Sequence, residues 1–125
     1  MKKVISTKNA PLAVGPYSQA IEINGMLFIS GVLPVDPTTG NFVPGGIKEQ
    51  TTQIFINIKS LLSAANMNID HIVKTTVFLE DMSLFNDMNQ VYASQFKDSY
   101  PARSAFAVKG LPKNSLIEIE VIAVK

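Results

Sequence analysis

Ile117-Glu-Ile-Glu-Val-Ile-Ala-Val124, the run that ends one residue before the C-terminal lysine, decides the fold. The period-two alternation of a strand sets Ile117, Ile119, Val121 and Ala123 on one side, where a core must cover them. Ile122 and Val124 fall on the other side, so each face of this strand is apolar over part of its length. A sheet built around such a strand needs cover on both faces.

The elements upstream supply one of the two covers. Val4-Ile5 is a short edge element, and Gln19 to Asn24 alternates polar and apolar residues. Asn24-Gly25 has the residue types of a two-residue hairpin turn, with Met26 to Ser30 running back as the partner strand. The segment from Val32 to Gly46 holds three prolines and three glycines and reads as an irregular connection. Ile47, Thr51, Ile54, Phe55, Ile58, Leu61, Leu62 and Ala65 then recur at helical steps, the pattern of an amphipathic helix closed by Asn66 to Asn68. Ile72 to Leu79 is β-branched and central in character. A second helix starts from a Ser83 cap, with Leu84, Phe85, Met88, Val91, Tyr92 and Phe96 as its stripe. Arg103 to Val108 forms the next strand, and Ile117 to Val124 the last.

This order predicts one domain over 1–125 of the α+β class, a sheet with two helices packed on one face. Nothing within the chain covers the opposite face. The simplest cover is a second copy, which predicts a homo-oligomer.

Composition narrows the chemistry. With 125 residues, 46% hydrophobic and 17% charged, the chain describes a compact globule rather than a disordered one. The apolar runs are too short to span a bilayer, and the polar N-terminus lacks the apolar core of a signal peptide, so cytoplasmic residence is the default expectation. Zero cysteines remove thiolate nucleophiles, disulfides and thiol-ligated metals. The single histidine, His71, is read as structural or surface, and no spacing for a metal site is present. A net charge of +1 without a lysine cluster gives no footprint for nucleic acid.

Eleven side chains are cationic, and only one is an arginine, Arg103. Guanidinium grips a planar carboxylate with two parallel hydrogen bonds, a task for which lysine is poorly shaped. The plain alternative is a surface arginine or a structural ion pair. If the strand of Arg103 pairs with the strand of Glu118 and Glu120 through the Lys109 to Ser115 turn, an acid and the guanidinium converge, within one subunit or across an interface. An anion-binding cation and a water-orienting carboxylate would then share a site. The same pairing also describes an ordinary cross-strand ion pair.

Gly15-Pro-Tyr-Ser-Gln-Ala20, Ser30-Gly31 with Leu33-Pro-Val-Asp-Pro-Thr-Thr-Gly40, Pro101-Ala-Arg-Ser104 and Ile117-Glu-Ile-Glu120 together resemble the signatures of the reactive intermediate deaminase family (RidA, also called YjgF). The resemblance covers essentially the whole chain. It implies a chorismate-mutase-like α+β fold, assembled as a homotrimer with sheets facing inward and clefts between subunits. The implied reaction is hydrolysis of 2-imino acids or their enamine tautomers, such as 2-iminobutanoate and 2-iminopropanoate, to 2-keto acids and ammonia, without a metal or organic cofactor.

Carried over by position, the resemblance implies that Arg103 clamps the substrate carboxylate and Glu118 positions or polarises the water. Tyr17 offers its hydroxyl to the ligand, and Ser30 and Gly31 line the cleft. Phe85 and Asn89, on the second helix, stand near it. Glu120 is expected to point to the opposite face of its strand from Glu118, as a structural or surface carboxylate. Ala105 replaces a cysteine frequent in the family, and Val32 a glutamine; both bear on pocket size and polarity, so on substrate preference more than on reaction class. Two other functions compete: a keto-acid or carboxylate sensor, which needs Arg103 but not Glu118, and an RNA-directed activity, for which no basic stripe is present.

Overall fold

A computed structural model describes all residues, 1–125. Its elements run β1 (Lys3–Ile5), β2 (Ala20–Ile23), β3 (Met26–Val32), α1 (Ile47–Ala64), β4 (Ile72–Leu79), α2 (Phe85–Ser94), β5 (Ala102–Ala107) and β6 (Ile117–Val124), with single 3-10 turns at Ile69–His71, Met82–Leu84 and Pro112–Asn114. The strand and helix order is the one expected. The β2–β3 hairpin turns on Asn24 and Gly25, both at positive φ (50° and 77°), as a type I′ turn demands.

The six strands form one mixed sheet in the order β1-β2-β3-β6-β4-β5. β6 is antiparallel to both β3 and β4, and α2 carries the chain from β4 to a parallel β5. Both helices lie on one face, over a core that includes Leu27, Ile54, Phe55, Ile58, Leu62, Val77, Leu79, Met88, Ile117 and Ile119, each at most 1% exposed. The mixed sheet with two helices is thus the α+β architecture expected.

The pairing of β5 with β6, the condition for Arg103 and Glu118 to converge within one chain, does not occur. β4 lies between them, with Phe78 beside Phe106 on one side and beside Glu118 on the other. Burial explains the placement: β6 is apolar on both faces and gains most from a central position, whereas Ala102–Ala107 is short and mostly exposed, which suits an edge. Lys113 and Asn114, both in left-handed conformation (φ 55° and 58°), shape the connection that lets the chain cross β4.

Two local expectations are also corrected or sharpened. Asp81, rather than Ser83, caps the second helical segment: its carboxylate accepts from Ser83 N at 2.8 Å, which lowers its pKa. His71 closes a cap of its own, with Nδ1 accepting from Asn68 N at 3.0 Å, consistent with the structural reading.

The sheet face away from the helices is apolar in rows. Register aligns Val4, Ile21, Phe28 and Ile122 across four strands, and Ile23, Met26 and Val124 beside them. Val4 is 57% exposed, Phe28 39% and Phe106 44%, and Phe106 stacks edge-on against Phe78 at 5.6 Å. No helix is long and apolar enough to cross a membrane.

Candidate active site

Arg103 projects from β5 toward the helix layer. Its Nη1 donates to Asn89 Oδ1 at 2.7 Å, and Cζ lies 5.4 Å from the Phe85 ring centroid and 4.7 Å from that of Tyr92. Phe85, Asn89 and Tyr92 are spaced four and three residues apart, so one stripe of α2 presents all three to the cation. Ala105, two residues after Arg103 on the same face, packs against the core beneath.

The alternative of a structural ion pair fails for this arginine. Within one chain, the only ion pair joins Lys125 to Glu22. A guanidinium held by aromatic faces and one amide, without a carboxylate, keeps its charge and most of its N–H donors for a ligand.

Glu118 sits on the opposite face of the sheet. Its side chain lies against Gly31 of β3, where an added Cβ would stand 2.6 Å from Glu118 Oε2 and 2.8 Å from Cδ. Gly31 therefore makes the room in which the carboxylate lies. Burial raises the pKa of Glu118 above the ordinary carboxylate range, and the charge of Glu120 raises it further. Glu120 accordingly does not point away from Glu118: residues two apart share a strand face, and Glu120 stands exposed on the same side.

Tyr17 and Ser30 lie on the β2–β3 side of the molecule. Ser30 Oγ donates to Ser18 O at 2.7 Å and Ser30 N donates to Gln19 O at 3.1 Å, so this serine ties the loop before β2 to the sheet. The Gln19 side chain, 6% exposed, secures the same loop from behind by accepting from Thr7 N and donating to the Thr7, Ala10 and Pro11 carbonyls. Tyr17 is 51% exposed, and its hydroxyl accepts only a long 3.4 Å contact from Val14 N, leaving its proton free to donate.

The expected residues thus fall into two groups. Arg103, Phe85, Asn89 and Ala105 cluster in the helix layer at the β5 edge. Gly31 and Glu118 adjoin on the far face, with Tyr17 and Ser30 on the β2–β3 flank. One chain does not bring the two groups together: Arg103 and Glu118 are on opposite faces and two strands apart, a lateral separation of roughly 10 Å at about 4.8 Å per strand. A surface depression of about 460 Å³ between Thr7, Asn9 and the outer side of α1 contains none of them.

Tyr92, an apolar-stripe position in sequence, also stands at the site, on the face of α2 that it shares with Phe85 and Asn89. Its hydroxyl pairs with Thr75 Oγ1 at 2.7 Å, and burial raises its pKa.

Fold and site define a small mixed-sheet protein that holds an unpaired guanidinium on one layer and a desolvated carboxylate on the other. The sequence pattern of the family described as Endoribonuclease L-PSP matches residues 7–125, and the chain belongs to that family, the YjgF/RidA proteins. A RutC family protein of Pyrococcus horikoshii is 54% identical over 100% of this chain and 99% of its own. The 2-iminobutanoate/2-iminopropanoate deaminase of Mus musculus is 46% identical over 100% of this chain and 93% of its own. Among solved structures, a Rid family protein of unknown function from Yersinia pestis superposes with a TM-score of 0.97 at 48% identity, over 100% of both chains.

Proposed function

We propose that the protein hydrolyses 2-imino acids of the size of 2-iminobutanoate and 2-iminopropanoate to 2-keto acids and ammonia, in clefts formed where copies of the chain meet. The observation that carries this reading is the free guanidinium of Arg103, braced by Asn89 and two aromatic rings and lacking any carboxylate partner. A substrate carboxylate is the planar anion that fits it. The full-length likeness to the mouse deaminase supports the choice of reaction.

The two groups of site residues require a second copy to meet. The apolar rows on the open sheet face supply a surface for it, and three copies with sheets inward would set the Arg103 group of one beside the Glu118 group of the next. In that cleft Arg103 holds the carboxylate. Glu118, ionised, takes a proton from water as the oxygen attacks the iminium carbon. The resulting carbinolamine gains a proton on nitrogen and expels ammonia, and loss of the hydroxyl proton leaves the keto group. Tyr17 donates its hydroxyl to the bound ligand. Imines hydrolyse in water unaided, so orientation and proton transfer need supply only a few kcal/mol, at about 1.4 kcal/mol per tenfold in rate.

Sensing of keto acids would need Arg103 alone, whereas the steric accommodation of Glu118 by Gly31 favours a working carboxylate. The family's descriptive name points to RNA cleavage, but a net charge of +1 offers little to a polyanion. The test is a coupled assay in which an amino-acid oxidase generates 2-iminobutanoate and semicarbazide traps what persists. The protein should shorten imine lifetime and Arg103→Ala should not; an equal effect from both would refute the proposal.

A further inference from the structure

Tyr92 is 3% exposed and Thr75 is fully buried, yet both carry hydroxyls into the core. A phenylalanine and a valine would fill the same space without polar atoms, so the pair asks for a reason beyond packing. The hydroxyls satisfy each other at 2.7 Å. Thr75 is also the residue of β4 in register with Arg103 on β5. Backbone pairing, hydroxyl contact and the ring beneath the guanidinium therefore close a circuit: Arg103 to Thr75 along the sheet, Thr75 to Tyr92 through the hydrogen bond, and Tyr92 back to Arg103 Cζ at 4.7 Å. Phe55 meets the Tyr92 ring edge-on at 5.6 Å, and Phe96 lies 5.2 Å from it. The ring is thereby fixed on the sides that the cation does not cover.

We propose that Thr75 and Tyr92 are positioning residues for Arg103, setting the plane in which it presents its free N–H donors to a carboxylate. A long side chain on an exposed edge strand would otherwise lose rotamer freedom each time it bound an anion. The Tyr92 ring and the Asn89 amide impose that order beforehand. The inference rests on the reading of Arg103 as the carboxylate clamp, and it adds that the clamp is built by a buried hydroxyl pair that touches no ligand.

The test measures binding of 2-oxobutanoate by calorimetry, together with KM, kcat for 2-iminobutanoate and Tm, for Tyr92→Phe, Thr75→Val, their double variant, Thr75→Ser and Arg103→Ala. Tyr92→Phe and Thr75→Val should each weaken binding and raise KM about threefold to tenfold, with kcat within twofold of the parent. The double variant should be no worse than the weaker single, because both break one contact. Thr75→Ser, which keeps the hydroxyl, should bind as the parent does. Unchanged binding in both single variants, or losses that Thr75→Ser shares, would overturn the positioning role. If Arg103→Ala also binds 2-oxobutanoate normally, the clamp itself is refuted; if it alone loses binding, the clamp stands and the positioning claim falls.

Discussion

Gly31→Ala isolates the placement of Glu118 from the stability of the fold. The new methyl carbon would stand 2.6 Å from Oε2, 2.8 Å from Cδ and 3.1 Å from Cγ of Glu118, where ordinary contact begins near 3.4 Å. The carboxylate must retreat by about 0.8 Å or swing to another rotamer. Gly31 is exposed and its φ lies outside the left-handed region, so the backbone accepts alanine without strain. Loss of chain entropy in the unfolded state would even add about 0.4–1 kcal/mol of stability. A displacement of this size at a proton-transfer group costs on the order of tenfold to a hundredfold in rate, or about 1.4–2.8 kcal/mol. The variant should keep or raise its Tm, bind 2-oxobutanoate as before and lose kcat in the semicarbazide-trapping assay. On a Glu118→Gln background the same substitution should cost nothing more. Turnover within twofold of the parent would refute the account of Gly31.

Further expectations follow from the same geometry. Arg103→Lys keeps the charge but loses the planar fork, and should raise KM roughly tenfold or more with the same Tm, as steady-state kinetics would show. The raised pKa of Glu118 has a definite sign: the folded state holds its proton more tightly than the unfolded one, so ionisation lowers stability as pH rises through the folded pKa. Glu118→Gln should therefore have the higher Tm at pH 7, and the advantage should vanish below the ordinary carboxylate range, while turnover is lost. Glu120→Gln removes the neighbouring charge and should move the acidic limb of the pH–rate profile to lower pH. Phe28→Glu, in the middle of the apolar row, should yield monomers by light scattering and abolish turnover although it alters none of the proposed site residues.

Where the sequence was explicit, local chemistry carried the signal. Asn24-Gly25 can take the left-handed conformations of a tight hairpin, and the alternation of Ile117 to Val124 marked both the strand and its two apolar faces. Pairing was hidden because neighbours in sequence usually neighbour in space, whereas here the gain from centring β6 outweighed the short path to β5. The same misplacement concealed that Arg103 and Glu118 face apart, which only the strand order reveals. The clamp residues Phe85 and Asn89 came from family likeness. Tyr92 is ambiguous in sequence, since a tyrosine in an apolar stripe has the same spacing whether its ring packs a core or carries a cation.

Subunit mixing tests the central claim, that two copies of the chain complete each site. Arg103→Ala and Glu118→Gln should each be inactive alone. Unfolded together at equal concentration and refolded, random assembly into closed rings leaves about a quarter of the clefts with both groups intact, half of the arginine halves meeting half of the glutamate halves. The account predicts a return of about a quarter of parental turnover. Activity no higher than that of the separate variants, in a mixture shown to have exchanged subunits, would contradict it.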